Sequence, residues 1–262
     1  MLSKCFAILA LMLGGLPALA QGPAVSVSPS ITAEPQMRLT GVPVPGAVQS
    51  TNWSGYAVTG SGFTEALASW IVPKVDCSKT FNGYAAQWVA IDGFPITLTQ
   101  ELIGTDSGCF GGEPGYDAYY DFYPFDGGEI LNMTVSPGDK MSATVSYDGS
   151  QFTLSMTDRT TGVHFSKTES VLLAPRSSAE WIVEETSYPG GLPDFTRTSF
   201  GDDYTDVKNT NWAKDSTTTG PISDFGTRVQ EITMVSGTGT TKAVPTALSS
   251  DGSSFKVIWK HN

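Results

Sequence analysis

Two adjoining segments of the sequence alternate strictly between polar and apolar side chains. Residues 142–147 (SATVSY) and 152–157 (FTLSMT) both repeat every second residue, the period of a β-strand with one buried face and one wet face. The residues between them, 148–150 (DGS), are typical of a hairpin turn. Similar turn signals recur at 126–128, 136–139, 161–162 and 251–252. The pattern predicts an all-β fold, either an antiparallel sandwich or a barrel.

Composition excludes several classes of function. The 262 residues are enough for one large all-β domain or two small ones. A net charge of −11 argues against nucleic-acid binding through a basic face. With two His and three Cys, the chain is poorly equipped for a His-rich metal site and cannot form a four-Cys zinc site. We therefore expect no metal and no cofactor, and we expect any hydrolysis to use carboxylates and amides.

The N-terminus has the features of an export signal. Residues 1–20 combine Lys4, an apolar stretch at 6–13 and a small-residue cleavage pattern at 18–20 (ALA), which predicts a secretory signal peptide. The apolar stretch is short for a membrane span, although an N-terminal anchor is the alternative. We expect a protein that is secreted to the medium or the periplasm and has no membrane association after signal removal.

The sequence after the signal divides into a leader and one domain. Residues 21–49 are rich in Pro, Ser, Ala and Val, a composition typical of a linker or propeptide, and the domain is expected over residues 50–262. Export removes Cys5 and leaves Cys77 and Cys109, an even pair in an oxidising compartment. A Cys77–Cys109 disulfide is therefore expected, with two free buried thiols as the alternative.

Two stretches bring carboxylates and aromatic rings together on one strand face. In QWVAIDG, Trp88 and Asp92 share a face, as in a cleft wall, although a core Trp before an Asp-Gly turn gives the same pattern. In YDAYYDFYP, Asp117 and Asp121 share a face with two Tyr rings, which suits a groove for peptide or sugar. A solvent-facing strand of an acidic protein is the alternative for the second stretch.

A third stretch, AEWIVEE, places Glu180 and Glu184 on one face of an apolar strand. Burial of a carboxylate costs free energy and raises its pKa, which makes such a Glu a candidate general acid or base. The alternative is a Glu at a strand end that points into water.

Together the stretches resemble the glutamic peptidases, the eqolisin family. The resemblance rests on four motifs in the same order, NWSGYAV at 52–58, WVAIDG at 88–93, YDAYYDFYP at 116–124 and AEWIVE at 179–184. It implies a concanavalin-like sandwich of two bent antiparallel sheets. It also implies an acid endopeptidase that acts on polypeptides without a metal, and we expect a monomer.

In that family a Glu activates the attacking water and a Gln amide polarises the scissile carbonyl. The resemblance places the Glu at Glu184. The other residues expected in the cleft are Trp88, Asp92, Asp117, Asp121 and Glu180.

The position of the Gln leaves two interpretations. An ungapped alignment on residues 103–105 (IGT) puts Leu102 at the Gln position, and Gln100 lies two residues earlier on the same strand face. A slip of two residues moves an amide by about 6.5–7 Å. Either the strand is shifted and Gln100 acts with Glu184, which is the preferred hypothesis, or the amide is lost and the protein is weak or inactive.

Three functions follow from these observations. The leading hypothesis is an exported acid endopeptidase with Glu184 and Gln100 as its catalytic pair. The second is a non-catalytic module that binds peptide or glycan on the same sandwich. The fold alone does not distinguish such a module from an enzyme. The third is a glycosidase that uses two carboxylates. Its candidates are Asp117, Asp121, Glu180 and Glu184.

Overall fold

The structure, a computed structural model, describes residues 37–40, 46–186 and 189–262. The strands are β1 (Ala47–Ser50), β2 (Trp53–Thr59), β3 (Glu65–Ile71), β4 (Gly83–Ile91), β5 (Gln100–Phe110), β6 (Glu113–Tyr123), β7 (Asp126–Glu129), β8 (Lys140–Tyr147), β9 (Phe152–Asp158), β10 (His164–Glu169), β11 (Ser178–Glu185), β12 (Arg197–Phe200), β13 (Trp212–Lys214), β14 (Thr219–Pro221), β15 (Val229–Val235), β16 (Thr241–Pro245) and β17 (Phe255–Trp259). The helices are α1 (Asp202–Thr205) and a 3₁₀ segment (Ile222–Arg228). The signal peptide predicted at 1–20 lies outside the described residues and stays a prediction.

The strands pack in two layers. The first layer runs in the order β1–β15–β2–β11–β4–β5–β6–β7. The second is built around β3, with β8, β9 and β10 on one side and β12 and β13 on the other. Hydrogen bonding continues between the layers through β12–β17, β17–β16 and β16–β15. The predicted antiparallel sandwich is confirmed, and its two layers are parts of one continuous sheet.

The main core lies between the layers. The hairpin predicted from the alternating segments is formed by β8 and β9, which pair antiparallel with Val145 opposite Leu154. Their apolar side chains face fully buried residues of the first layer such as Val89 and Trp181. Each large apolar side chain buried in this way contributes roughly 1.5–3 kcal/mol, which fixes the first layer against the second.

The predicted disulfide is confirmed. Cys77, in the loop after β3, is bonded to Cys109 near the end of β5, with their Cα atoms 5.5 Å apart. The bond closes a loop with a sequence separation of 32 residues. On the chain-entropy model a loop of this size contributes about 3–4 kcal/mol of stability. It ties the β3–β4 connection to a strand that carries candidate site residues.

Part of the segment predicted as a leader pairs with the domain. Strand β1 lies parallel to β15, and Leu39 forms a bridge with Ser50. The Thr51 N–H donates to the Arg38 carbonyl at 2.8 Å, and the Thr40 N–H donates to the Gln49 carbonyl at 3.1 Å. Residues 37–40 therefore lie along the first layer.

Within residues 37–40, 46–186 and 189–262, no helix has the length and apolar character needed to cross a bilayer.

Candidate functional site

The first layer has a second face, turned away from the main core, which carries most of the predicted site residues. We call it the site face. Its apolar part is a cluster of the buried side chains Met37, Val48, Trp53, Ala57, Ala86, Trp88, Ala90, Phe94, Leu102, Ile182 and Ile232, with Leu39 and Tyr119 packed against it. The side chains that share a strand face in the three sequence stretches thus lie on one surface, because successive residues of a strand point to opposite sides.

Strand register arranges the site face in four rows. The first row contains Trp53, Glu184, Ala86, Asp106 and Asp117. The second row contains Gly55, Ile182, Trp88, Gly104 and Tyr119. The third row contains Ala57, Glu180, Ala90, Leu102 and Asp121. The fourth row contains Thr59, Ser178, Gln100 and Tyr123. Successive rows are about 6.5–7 Å apart along the strands.

Glu184 is buried in the first row and receives hydrogen bonds from two side chains. The Trp88 indole N–H donates to Oε2 at 3.0 Å, and the Asn52 amide donates to Oε1 at 3.2 Å. The residue is 5% exposed, and burial raises the pKa of its carboxyl to about 8, although the indole of Trp53, the two donors and the charge of Arg38 oppose the rise. Both donors stabilise the ionised carboxylate, because each of its two oxygens accepts a hydrogen bond.

The Asn52 carbonyl oxygen is engaged as well. It accepts from the Arg38 backbone N–H at 2.8 Å and from the Ser50 hydroxyl at 3.0 Å. The Asn52 amide group is thereby fixed with its NH₂ toward Glu184. Met37, the neighbour of Arg38, is 2% exposed and belongs to the apolar cluster that contains Trp88. The described part of the predicted leader thus covers the site face beside Glu184.

Asp106 and Asp117 form a carboxyl pair in the first row. They lie directly opposite each other on β5 and β6, and the Tyr84 hydroxyl donates to Asp117 Oδ2 at 3.4 Å. Burial raises the pKa of Asp106 well above its usual range, and the charges of Asp117 and Glu184 raise it further. Ala86 alone separates Asp106 from Glu184 in the row.

Two further carboxyls occupy the third row. Glu180 is fully buried, and neither of its oxygens has a hydrogen-bond partner within the described ranges. Burial raises its pKa well above the usual range, and the charges of Asp92 and Glu101 raise it further. Asp121 is 7% exposed, and burial together with the charge of Asp126 raises its pKa to about 7.

Asp92 has a local structural role. It follows β4 directly with a φ of 64°, and its carboxylate accepts from the backbone N–H groups of Arg176 and Ser177, each at 2.7 Å. The Ser177 hydroxyl also donates to it, at 3.2 Å. These contacts fix the segment that leads into β11. Asp92 therefore positions the strand that carries Glu184, and its own oxygens face that loop.

Gln100 lies in the fourth row, far along the sheet from Glu184. The pairing of β4 with β5 runs without interruption from Gly83–Cys109 to Ile91–Glu101, so β5 has no shift in register. Asp106 is level with Glu184, and six residues separate it from Gln100, a distance of about 20 Å along the strand.

The Gln100 amide is buried beside a glycine. A Cβ atom on Gly93 would lie 2.5 Å from Gln100 Nε2, and neither amide atom of Gln100 has a hydrogen-bond partner in the described part of the chain. Within the β4–β5 pairing Gln100 thus stays two residues before Leu102 on the same face, and its action with Glu184 stays a prediction. Leu102, one row nearer, contributes an apolar side chain to the cluster.

The donor set offers little to a metal ion. Across the described ranges, no group of three or more His, Cys, Asp or Glu side chains has a geometry that could hold one.

Comparison with known proteins identifies the family. Residues 51–246 match the Peptidase A4 family. The chain belongs to this family. Aspergillopepsin-2 from Aspergillus niger is 29% identical over 158 residues, which cover 52% of this chain and 56% of that protein. Scytalidopepsin B from Scytalidium lignicola is 33% identical over 144 residues, which cover 53% of this chain and 53% of that protein. The chain thus spans about half the length of these curated relatives.

Solved structures of glutamic peptidases share the fold. Scytalido-glutamic peptidase in complex with a peptide-based transition state analog superposes with a TM-score of 0.64 at 20% identity, covering 80% of this chain and 98% of that chain. Aspergilloglutamic peptidase from Aspergillus niger superposes with a TM-score of 0.53 at 25% identity, covering 68% of this chain and 99% of that chain. The resemblance to the glutamic peptidases is confirmed at the level of family and fold.

Sequence reasoning assigned no role to four residues that surround Glu184 in space. These are Asn52, Trp53, Asp106 and Tyr119. Asn52 and Trp53 belong to the first quoted motif, and Tyr119 shares its strand face with the two Asp residues of the second. Their grouping depends on the register of four strands, which alternation within one strand does not specify.

Proposed function

We propose that this protein is an exported endopeptidase in which the Glu184 carboxylate acts as the general base. The substrate is a polypeptide, the enzyme acts as a monomer, and no metal or cofactor takes part. Family membership supports peptide-bond hydrolysis. The surroundings of Glu184 support its role.

One observation carries the assignment of the base: Trp88 and Asn52 both contact Glu184 through N–H donors. The indole N–H of Trp88 cannot accept a proton, and the Asn52 oxygen is already occupied by Arg38 and Ser50. A protonated Glu184 would have no acceptor among these partners, whereas a carboxylate is satisfied by them. The arrangement favours a base that takes a proton from water and later returns it to the leaving nitrogen.

The raised pKa of Glu184 defines the condition for activity. A general base must be ionised, and a carboxyl with a pKa of about 8 is almost entirely neutral under acid conditions. Burial is the largest cause of the rise, and Met37 is part of the cover. We propose that activity below neutrality requires removal of the leader, which lets water reach Glu184 and lowers its pKa.

The sequence analysis predicts that the Gln100 amide acts together with Glu184. The strand register does not favour this prediction. Gln100 lies three rows from Glu184 along the sheet, and its amide is buried beside Gly93 without a hydrogen-bond partner in the described ranges. We propose that Gln100 has no direct part in the chemistry. Another donor must then stabilise the oxyanion, or the protein binds peptide without cutting it.

Digestion of an unfolded protein by the secreted, leader-free enzyme tests the proposed function. We expect internal cleavage between pH 2 and pH 6 that persists with pepstatin and EDTA. Mass spectrometry of the fragments distinguishes internal cuts from removal of terminal residues. No cleavage by the leader-free protein at any of these pH values would contradict the peptidase proposal and favour the non-catalytic binding module, for which the apolar Leu102 at the expected amide position is the supporting observation.

A further inference from the structure

The hydrogen bonds of Ser50 determine how the Asn52 side chain faces Glu184. Ser50 is the last residue of β1 and is fully buried. Its Oγ accepts from the Asn52 backbone N–H at 3.3 Å and from the Trp53 backbone N–H at 3.1 Å, and its O–H donates to Asn52 Oδ1 at 3.0 Å. A hydroxyl has one hydrogen to donate and two lone pairs that accept, so the hydrogen-bonding capacity of Ser50 is fully used.

This arrangement permits one orientation of the Asn52 amide. If the amide were turned over, its NH₂ would face the Ser50 hydroxyl, whose lone pairs are occupied by backbone N–H groups. The NH₂ would also face the Arg38 backbone N–H, which is a donor as well. Buried donors that face each other lose their hydrogen bonds, which costs free energy. The Asn52 NH₂ is therefore directed at Glu184, whose Oε1 it contacts at 3.2 Å.

The contact from Ser50 does not depend on the leader. Arg38 belongs to the described part of the leader, whereas Ser50 is in β1, which pairs with β15 along its whole length. The Asn52 carbonyl also accepts from the Glu185 backbone N–H at 2.7 Å, which ties Asn52 to the residue next to Glu184. We expect release of the leader to remove the contact from Arg38 and to leave those from Ser50 and Glu185 in place.

An N–H donor held against Glu184 stabilises its charged form. A hydrogen bond to a carboxylate favours ionisation, and bonds to charged groups are the stronger ones. The Trp88 indole and the charge of Arg38 act in the same direction. Asp106 on β5 and Tyr119 on β6 are the ionisable groups that interact with Glu184 from the other side of the site face, and their charges oppose its ionisation. The Asn52 donor is thus one of several influences that together set the pH at which Glu184 ionises.

We propose that Asn52 and Ser50 are positioning residues for the base of this peptidase: Ser50 orients the Asn52 amide, and Asn52 holds the Glu184 carboxylate. The inference rests on the proposed function. Neither residue touches the reacting atoms, because Asn52 acts through Glu184 and Ser50 acts through Asn52. With Oε1 bound to Asn52 and Oε2 bound to Trp88, the carboxylate keeps one orientation, and its remaining lone pairs can accept the proton of the attacking water.

The first measurement follows the ionisation of Glu184 without catalysis. The Trp88 indole N–H donates to Glu184 at 3.0 Å, so its NMR chemical shift should change as Glu184 titrates. Asn52→Leu and Ser50→Ala are compared with Ser54→Ala in the secreted chain that retains the leader. Ser54→Ala is the matched control, since the Ser54 side chain is also fully buried but its hydroxyl has no hydrogen-bond partner among the residues that the structure describes.

We expect Asn52→Leu to move the titration midpoint up by roughly one to two pH units, because it removes a hydrogen bond to a charged group. Ser50→Ala should move the midpoint in the same direction by less, since Arg38 still holds the amide in this chain. Ser54→Ala should titrate as wild type. Melting temperatures show which variants are folded, and Ser50→Ala, which removes one oxygen atom, carries the test if Asn52→Leu is not. Folded Asn52→Leu and Ser50→Ala variants that both titrate as wild type would overturn the proposal.

The second measurement asks whether Ser50 also controls catalysis. It is kcat/KM for peptide cleavage against pH, measured with the leader-free enzyme, in which Arg38 no longer holds Asn52. Ser50→Ala should move the acid limb up by roughly one pH unit, which lowers kcat/KM about tenfold at a pH on that limb with little change in KM. Ser54→Ala should follow the wild-type profile.

The two measurements separate the proposals. An unmoved acid limb in folded Ser50→Ala overturns the role of Ser50 and leaves the peptidase proposal intact. A leader-free wild type that cleaves no peptide contradicts the peptidase proposal, and the Trp88 titration then decides by itself whether Asn52 and Ser50 hold Glu184.

Discussion

Removal of the leader segment over the site face should move the activity of this protein toward acid pH. The perturbation is a chain that begins at Gly46, which lacks Met37 to Thr40 and keeps β1. The comparison is a chain that begins at Gln21, after the predicted signal peptide. The shorter chain loses hydrogen bonds of the covering segment, among them Arg38 N–H to Asn52 Oδ1, Thr51 N–H to the Arg38 carbonyl and Thr40 N–H to the Gln49 carbonyl.

The expected magnitudes follow from these contacts. Each hydrogen bond contributes roughly 0.5–1.5 kcal/mol, and the buried Met37 roughly 1.5–3 kcal/mol, so the shorter chain should be less stable by a few kcal/mol. With a pKa of about 8, on the order of one Glu184 in a thousand is ionised at pH 5. If water lowers the pKa toward the ordinary range of Glu, about 4.3, the active fraction at pH 5 should rise by roughly 10²–10³-fold.

The assay is kcat/KM for a fluorogenic peptide against pH, measured for both chains. The account predicts that the acid limb of the profile moves to lower pH in the chain that begins at Gly46. Melting temperatures at pH 5 show whether that chain is folded. If it is folded and its acid limb is that of the longer chain, then Met37 and Arg38 do not control ionisation of Glu184, and the reasoning from burial is refuted.

Three other predictions concern individual residues. Gln100→Ala should reduce kcat/KM less than fivefold, since its row lies far from Glu184; a loss of about 10²-fold in a folded variant would restore it as the oxyanion donor. Replacement of Cys77 and Cys109 by Ser should lower the free energy of unfolding by about 3–4 kcal/mol in urea titrations, and an unchanged value would contradict the chain-entropy argument. Glu101 is buried without hydrogen-bond partners in the described ranges, and burial, with the charge of Asp92, raises its pKa to about 9. The stability that its neutral form provides is present below the unfolded pKa and falls as pH rises toward 9, by up to roughly 1.4 kcal/mol per pH unit. Glu101→Gln should therefore raise the melting temperature at pH 8 and change it little at pH 4, and equal shifts at both values would contradict the assignment.

The fold was largely predictable because its signals are local. The alternation at 142–147 and 152–157 depends only on which face of a strand is buried, and it identified β8 and β9 with their turn. The same alternation predicted that Glu180 and Glu184 share one strand face, and it predicted the face of Trp88, as the structure has them. The alternation does not predict that β12 and β17 join both layers into one sheet. That joining depends on contacts between residues distant in sequence.

The arrangement of the site was less predictable, because the alternation of side chains along one strand does not determine which residues face each other on neighbouring strands. Gln100 and Leu102 share a face, and only the pairing of β5 with β4 shows which row each occupies. Asn52 contacts Glu184 across a sequence separation of 132 residues, and no spacing in the sequence predicts this contact. The cover by Met37 was missed for a similar reason, since a Pro-rich composition indicates a leader without indicating where it docks.

The most direct test of the central claim compares two Glu residues of one strand. Glu184 and Glu180 lie on the same face of β11, both are buried, and both have raised pKa values, but Glu184 is held by donors and Glu180 has no partner within the described ranges. The measurement is kcat/KM for peptide cleavage by the leader-free Glu184→Gln and Glu180→Gln variants at the optimum pH of the wild type. The account predicts a loss of about 10²–10⁴-fold for Glu184→Gln and a loss under tenfold for Glu180→Gln. A folded Glu184→Gln variant that cleaves as well as Glu180→Gln would contradict Glu184 as the general base.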